Sequence, residues 1–356
     1  MTLQTIADHV GVSRMTVSNA FSRPDQLSAA LRERVLAAAA ELGYVGPDPA
    51  GRALARGTTG AVGILLTKSL RYAFADEVAT TFLGALTDEL APTGLALTLL
   101  PADVRDEVAP ARDAAMDGAV IFSCDPDLPA LEILRRRRIP LVNVDQPPER
   151  GVPGVNIDDR AGARDAAQHL IDLGHRSIGI LTFSLHGPHG VDVDPPPPVP
   201  TDSYVTRQRM LGWRDALDPA GIRPVVANLP HSHLGDTTDL VREMLTRPDG
   251  PTGLLCFSDA MAEAAVRTIE EAGLRVPADL SVVGFDDNPL AARMRPRLTT
   301  VRQDSEAKGR AAAAALTAAI RHHRDGTTAR VRDVKLPTEL VVRESTAPPA
   351  SDAPGA

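Results

Sequence analysis

Apolar positions in the first 45 residues recur at helical spacing. Leu3, Ile6, Ala7 and Val10 stand at i, i+3, i+4 and i+7. Thr2 precedes them as an N-cap, and Gly11 follows as a left-handed stop. Ser13 opens a second helix predicted over 14–21, with Val12 and Val17 turned to a core. Ser28 caps a third, predicted over 29–42, with Leu31, Val35, Leu36, Ala39 and Leu42 on one face, and Gly43 ends it. Two short helices joined by a tight glycine turn carry the pattern of a helix-turn-helix. Spacing alone fits a plain three-helix bundle without DNA contact equally well. Residues 46–57, GPDPAGRALARG, have the prolines and glycines of a linker, in which 50–56 can form a short helix.

From Gly60 onward the pattern changes to alternating strands and helices, which predicts parallel sheets with helical crossovers. Strands are expected at 61–67, 95–100, 119–122 and 140–144, with helices near 75–91 and 127–138. A second set follows: helices 160–173, 204–218, 235–247 and 259–272, with strands 177–183, 225–229, 253–257 and 281–284. The expected organisation is a headpiece at 1–45, a linker at 46–59 and a two-lobed α/β domain at 60–343. Its first lobe is placed at about 60–157 and 289–320, and its second at about 158–288 and 321–343. Chain crossings are expected near 156–159, near 285–289 and after a helix at 304–320. The proline-rich 187–200 reads as a loop, and 344–356 as a disordered tail.

Charge changes this picture once it is divided. The chain carries a net −8, which taken whole argues against nucleic acid. Residues 1–57, however, hold six Arg against five acids, a net +1, and the remainder is −9. The acidic bulk is therefore separate from the segment that would touch DNA. The two cysteines, Cys124 and Cys256, end apolar runs, as reduced thiols of a cytoplasmic protein do. The N-terminus has no leader pattern, and no run of about eighteen apolar residues exists, so no membrane partner is expected. No GxGxxG follows the first strand and there is no GxxxxGK[ST]. His186 and His189, and His231 and His233, lie in loops without a spaced partner. No enzyme activity, metal or cofactor is expected. A secreted solute-binding protein would share the two lobes, but it needs a leader and no headpiece.

The run TLQTIADHVGVSRMTVSNAFSRPDQLSAALRERVLAAAAELGYVGPDPAGRAL resembles the headpiece of the lactose-repressor (LacI/GalR) family. TGAVGILL, VNVDQPP, HLIDLGHRSIGIL, RMLGW, LPTELVVRES and the highly specific GLRVPADLSVVGFDDN extend the resemblance over nearly the whole chain. It implies a two-lobed, periplasmic-binding-protein-like domain behind a helix-turn-helix. It also implies a homodimer, in some members a tetramer, on a pseudo-palindromic operator, controlled by a small effector of the sugar, polyol or nucleoside class.

The resemblance also assigns residues. Arg14, Met15 and Asn19 fall at the variable, base-reading positions of the second helix. Ser13, Thr16 and Ser18 fall where phosphates are held, with Thr2 and Ser28 at helix starts facing the backbone. Capping explains Ser13, Thr16 and Ser18 as well. Leu54 occupies the place of the minor-groove wedge with Arg52 beside it, and Gly51 stands where the family usually has alanine. For the effector, Arg209 matches the arginine of the family's RxxGW motif, and Asp286 the acid after the SVVGF strand. The first-lobe loop brings Tyr72, Phe74 and Asp76, in a segment, SLRYAFAD, that departs from the family's usual sequence. Asn143, Asp145, Phe183, Phe257, Ser258 and Asp259 are further candidates. A structural salt bridge remains open for Arg209, and turn capping for Asp286. Asp159 and Asp287 read as hinge hydrogen-bonders.

Overall fold

The computed structural model describes the chain except for residues 47–50, 52, 54–56, 67–69, 102–108, 187, 192–198, 200, 230–233, 328–331 and 351–356. The chain divides into two compact units, Met1–Ala61 with Ala115–Asp117, and the remainder.

In the first unit the expected capping chemistry sets the helix starts. Thr2 Oγ1 accepts from the Thr5 amide, Ser13 Oγ from Thr16 and Ser28 Oγ from Leu31. These begin α1 (Leu3–Val10), α2 (Arg14–Ser22) and α3 (Ala29–Glu41). Gly11, at φ 74°, ends α1 with its amide on the Ala7 carbonyl. Ile6, Ala7, Val17, Ala20, Val35, Ala38 and Ala39 close the core. Phe21 and Tyr44 meet edge to face at 5.7 Å.

The second unit contains two sheets. The first has the order β12-β5-β4-β3-β1-β2, from β1 (Ala61–Leu66), β2 (Ala96–Pro101), β3 (Ala119–Phe122), β4 (Leu141–Val144), β5 (Gly154–Ile157) and β12 (Val334–Leu336). α4 (Leu70–Ala75), α5 (Glu77–Leu90), α6 (Ala109–Asp113) and α7 (Pro129–Arg136) occur along this stretch. The second sheet runs β13-β11-β10-β9-β6-β8-β7. Its strands are β6 (Ile178–Phe183), β7 (Gly190–Val191), β8 (Val225–Leu229), β9 (Gly253–Cys256), β10 (Ser281–Asp286), β11 (Thr299–Arg302) and β13 (Glu339–Val341). Its helices are α8 (Asp159–Asp172), α9 (Tyr204–Leu217), α10 (Leu234–Leu245), α11 (Asp259–Glu271) and α12 (Pro289–Arg293). The long α13 (Ser305–Arg324) returns to the first lobe, where Leu316 and Ile320 pack with Phe82 and Leu86. Central strands are buried along their whole length and mostly apolar, as in sheets covered on both faces.

Two glycines fix how close the helices come. A Cβ on Gly212 of α9 would stand 2.2 Å from the Arg160 carbonyl of α8, and one on Gly309 of α13 2.6 Å from the Phe82 carbonyl of α5.

The lobe boundaries differ from expectation after residue 288. Residues 289–302 stay with the second lobe, because β11 pairs in parallel with β10. The crossing expected near 285–289 falls at 303–304, at the head of α13. The chain remains in the first lobe through β12, which pairs with β5, and crosses again at 337–338. Short edge strands such as β12 and β13 carry too little alternation to be read singly. The tail expected to be disordered from 344 is ordered through 350. Ser345 is fully buried, its hydroxyl donates to the Val282 carbonyl, and the Thr299 amide donates to it. Within the expected 187–200 loop, Gly190 and Val191 pair antiparallel with β8.

Candidate functional site

In the headpiece the exposed face of α2 carries Arg14 and Met15, the latter 69% exposed despite its apolar side chain. A large apolar residue held in water at a helix start has no role in the three-helix core. Thr16, Ser18 and Asn19 are half-buried. Ser13 and Thr16 share a hydroxyl pair at 2.9 Å, so the capping reading accounts for both side chains here. Asn19 Nδ2 donates to Gln26 Oε1 at 3.1 Å, and the Ser18 carbonyl accepts from the Ser22 hydroxyl. The Thr2 and Ser28 hydroxyls cap α1 and α3. Arg52 and Leu54 lie outside the described residues. Gly51 is exposed, with open space where a Cβ would stand.

In the second unit a cavity of about 820 Å³ opens between the two sheets, walled by residues of both lobes. That volume suits a small-molecule site. The wall is built at strand C-terminal ends, where the chain leaves β1, β3, β4, β6, β9 and β10. At four of these exits the residue has a positive φ: Ser123 (49°), Asp145 (53°), Ser184 (61°) and Asp286 (122°). Non-glycine residues adopt this region at a cost, and here each one lines the cavity.

Arg209 stands at the centre of the second-lobe wall and is 3% exposed. The Gly212 contact brings α9 onto α8, so that Arg209 Nε donates to Asp159 Oδ1 at 2.9 Å. A second nitrogen donates to the Phe257 carbonyl, and a third lies 3.6 Å from Asp286 Oδ1. The guanidinium stacks 3.5 Å from the Phe285 ring centroid and 4.4 Å from that of Phe257. Asp286 Oδ1 also accepts from Gln303 Nε2 at 2.7 Å. Burial pushes the Asp286 carboxyl up to about 7, against the pull of Arg209. Burial raises Asp159 as well, again opposed by Arg209. Lys308 of α13, 1% exposed, donates to Asp145 Oδ2 at 2.8 Å and to Gln303 Oε1 at 3.0 Å. A continuous polar chain thus runs from Asp145 through Lys308, Gln303 and Asp286 to Arg209 and Asp159.

Of the expected effector residues, Asp76, Asp145, Phe183, Arg209, Phe257, Ser258 and Asp286 come together on this wall. Asp76 also caps α5, accepting from the Val78 amide at 3.0 Å. Three do not join them. Asn143, buried within β4 and two residues short of the exit residue Asp145, turns to Glu149 at 3.1 Å. Phe74 is 58% exposed and lies off the cavity. The Tyr72 side chain is outside the described structure. Asp259 sits behind the wall, held by the Thr300 hydroxyl and the Asn288 amide. Asp287 is tied to Arg302 and Arg343. Lys308 and Gln303 were not anticipated. One signal existed: Lys308 is one of three lysines against 35 arginines, set in an alanine-rich helix.

Residues 2–46 match the family model for bacterial regulatory proteins of the lacI family, and 167–346 that of a periplasmic binding protein-like domain. An HTH-type transcriptional regulator of Mycolicibacterium smegmatis is 38% identical, over 98% of this chain and 97% of that protein. The structure of a transcriptional regulator CelR–cellobiose complex is similar with a TM-score of 0.70 at 30% identity, covering 97% of this chain and 99% of that one. The Lac repressor dimer bound to operator and the anti-inducer ONPF gives 0.77 at 28% identity, covering 98% and 99%. A helix-turn-helix joined to a two-lobed α/β domain with a buried polar cavity defines a DNA-binding transcriptional regulator with a ligand-binding domain. The chain belongs to the LacI family. Its relatives are regulators rather than enzymes. Among the described residues no helix is long and apolar enough to cross a membrane.

Proposed function

We propose that the chain is a cytoplasmic repressor of a catabolic or uptake operon, released when a sugar, polyol or nucleoside enters the cavity between its lobes. The observation that carries this reading is the convergence of Arg209, Asp286 and two phenylalanines on one wall of that cavity. Fixed carboxylates and a fixed guanidinium orient hydroxyls, and apolar rings accept the C–H faces of a sugar or the plane of a base. The CelR complex with cellobiose and the Lac repressor complex with ONPF support a small polar effector. The Lac repressor dimer on operator supports a homodimer on pseudo-palindromic DNA.

On that DNA, Arg14 reads a base edge, Met15 makes apolar contact and Asn19 bonds a base or phosphate. Ser13, Thr16, Ser18, Thr2 and Ser28 position the headpiece on the backbone. The paired hinges order on operator, with Arg52 and Leu54 in the minor groove. In vitro selection with the full chain tests this. Enrichment of a two-fold-related site, with binding weakened by a ligand that raises the protein's Tm, is the expected outcome. Failure to enrich any site refutes it.

A further inference from the structure

We propose that the connection from β6 to α9 determines which effector the cavity accepts, with His186, oriented by Asp202, accepting a hydrogen bond from an effector hydroxyl. This rests on the cavity being the effector site.

The chain leaves β6 at Phe183 and enters α9 at Tyr204, so the connection spans twenty residues, 184–203. A strand-to-helix connection ordinarily takes about two to six. The described residues of this longer one are anchored at both ends. Asn228, fully buried in β8, accepts from the Leu185 amide at 3.3 Å and donates to the Leu185 and Pro188 carbonyls at 3.2 Å. A buried side-chain amide needs its hydrogen bonds made, and Asn228 makes them with the connection. The buried Thr201 hydroxyl donates to the Ser184 carbonyl at 2.6 Å and accepts from the Ser203 amide at 3.0 Å. The Thr201 carbonyl accepts from Arg207 of α9. Leu185 and Val199 join the core of the second lobe.

This anchoring puts Ser184, Leu185, His186, His189, Asp202 and Ser203 in the cavity wall. His186 and Asp202, sixteen positions apart, meet there, with Nε2 2.8 Å from Asp202 Oδ2. A carboxylate only accepts, so Nε2 carries the proton and donates it to Asp202. That bond fixes the tautomer and the direction of the ring, and it leaves Nδ1 of the neutral imidazole as an acceptor. Both side chains are about half-exposed, whereas Arg209, Asp286 and Lys308 are buried and matched to one another. A hydroxyl entering the cavity can therefore meet His186 without breaking an internal ion pair. The same chemistry makes the contact selective: a compound with no hydroxyl at that place leaves the oriented nitrogen unpaired.

The test titrates ribose, glucose, maltose, cellobiose, sorbitol, myo-inositol and adenosine calorimetrically into the full chain. Each compound that binds is followed by its monodeoxy analogues. His186→Ala is expected to weaken binding by about tenfold or more. Tm of the ligand-free protein should stay within about 2 °C, because a half-exposed ion pair contributes little stability. At one hydroxyl, deletion should weaken the wild type by about tenfold and His186→Ala by less than about twofold, since the partner has already gone. Asp202→Asn, which frees the ring to turn, should fall between the two. Affinity in His186→Ala within about twofold of wild type overturns the proposal. So does a set of deoxy losses that is the same in both proteins, the result expected if the pair only ties the connection together. Arg209→Met separates this from the function proposed above. Binding lost in Arg209→Met but kept in His186→Ala retains the cavity as the effector site while overturning the role of His186. Binding untouched by both places the ligand elsewhere, and a panel from which nothing binds overturns both readings.

Discussion

Replacement of Lys308 by methionine tests the polar chain that lines the cavity. Methionine keeps most of the apolar stem of lysine but removes the ammonium that holds Asp145 and Gln303. The ammonium is inaccessible; it donates to Asp145 Oδ2, and Asp145 Oδ1 has no donor among the described residues. Lys308→Met therefore leaves a buried carboxylate without its counter-charge, a loss of about 3–5 kcal/mol. For a domain of this size about 2 °C is lost per kcal/mol, so Tm should fall by roughly 6–10 °C. Lys308→Met combined with Asp145→Asn removes both charges and should recover most of that loss. Scanning calorimetry of the wild type, both single variants and the double variant gives the coupling directly. A Lys308→Met protein within about 1 kcal/mol of wild type, or a double variant no better than the single, refutes this account.

Three further outcomes are expected. Arg14→Ala should relax base preference at one position of each half-site and cost about 1–3 kcal/mol; an unchanged selected sequence refutes a base-reading role. Gly51→Ala, with open space at its Cβ, should favour hinge helix by about 1 kcal/mol per subunit. Operator binding would tighten up to about thirtyfold, and Leu54→Ala would weaken it; mobility-shift titration at fixed salt decides between them. Because burial raises Asp286 from its ordinary 3.8 to about 7, the native state holds a proton that the unfolded chain has already released. This group's contribution to stability is therefore lost as pH rises from about 4 to 7, while the ionised form that accepts ligand hydroxyls becomes populated. Asp286→Asn should flatten the fall in Tm over that window and weaken the ligand; an unchanged pH profile refutes the assignment.

The headpiece was legible because its determinants are local. Thr2, Gly11, Ser13 and Ser28 act within four residues of where they stand. The central strands were legible for a related reason: burial on both faces makes each a nearly continuous apolar run. The edge strands were not. β12 and β13 are three residues long, and their sheet membership depends on partners some 180 and 40 residues away. The lobe assignment of 289–302 failed with them. At the site, Arg209 and Asp286 were found by motif, and their convergence required the fold. Asn143 was misplaced because the wall forms where strands end: it stands inside β4, two residues before Asp145, and its side chain is held by Glu149. Lys308 was overlooked because its alanine-rich neighbours describe an ordinary packed helix, and only its partner Asp145, 163 residues away, gives it a role.

The three passages of chain between the lobes have a consequence during synthesis. The headpiece is complete once Tyr44 has emerged, whereas the first lobe lacks an edge strand until Leu336 has. Between β5 and β12 the ribosome adds about 180 residues, which takes roughly 9–36 s at typical elongation rates. Throughout that interval the free edge of β5 offers unpaired backbone groups to any neighbouring strand. Nascent chains stalled between β5 and β12 should therefore engage trigger-factor-type chaperones through the first lobe while their headpieces are already folded. Polysomes carrying such chains crowd several folded headpieces together while every first lobe is still incomplete.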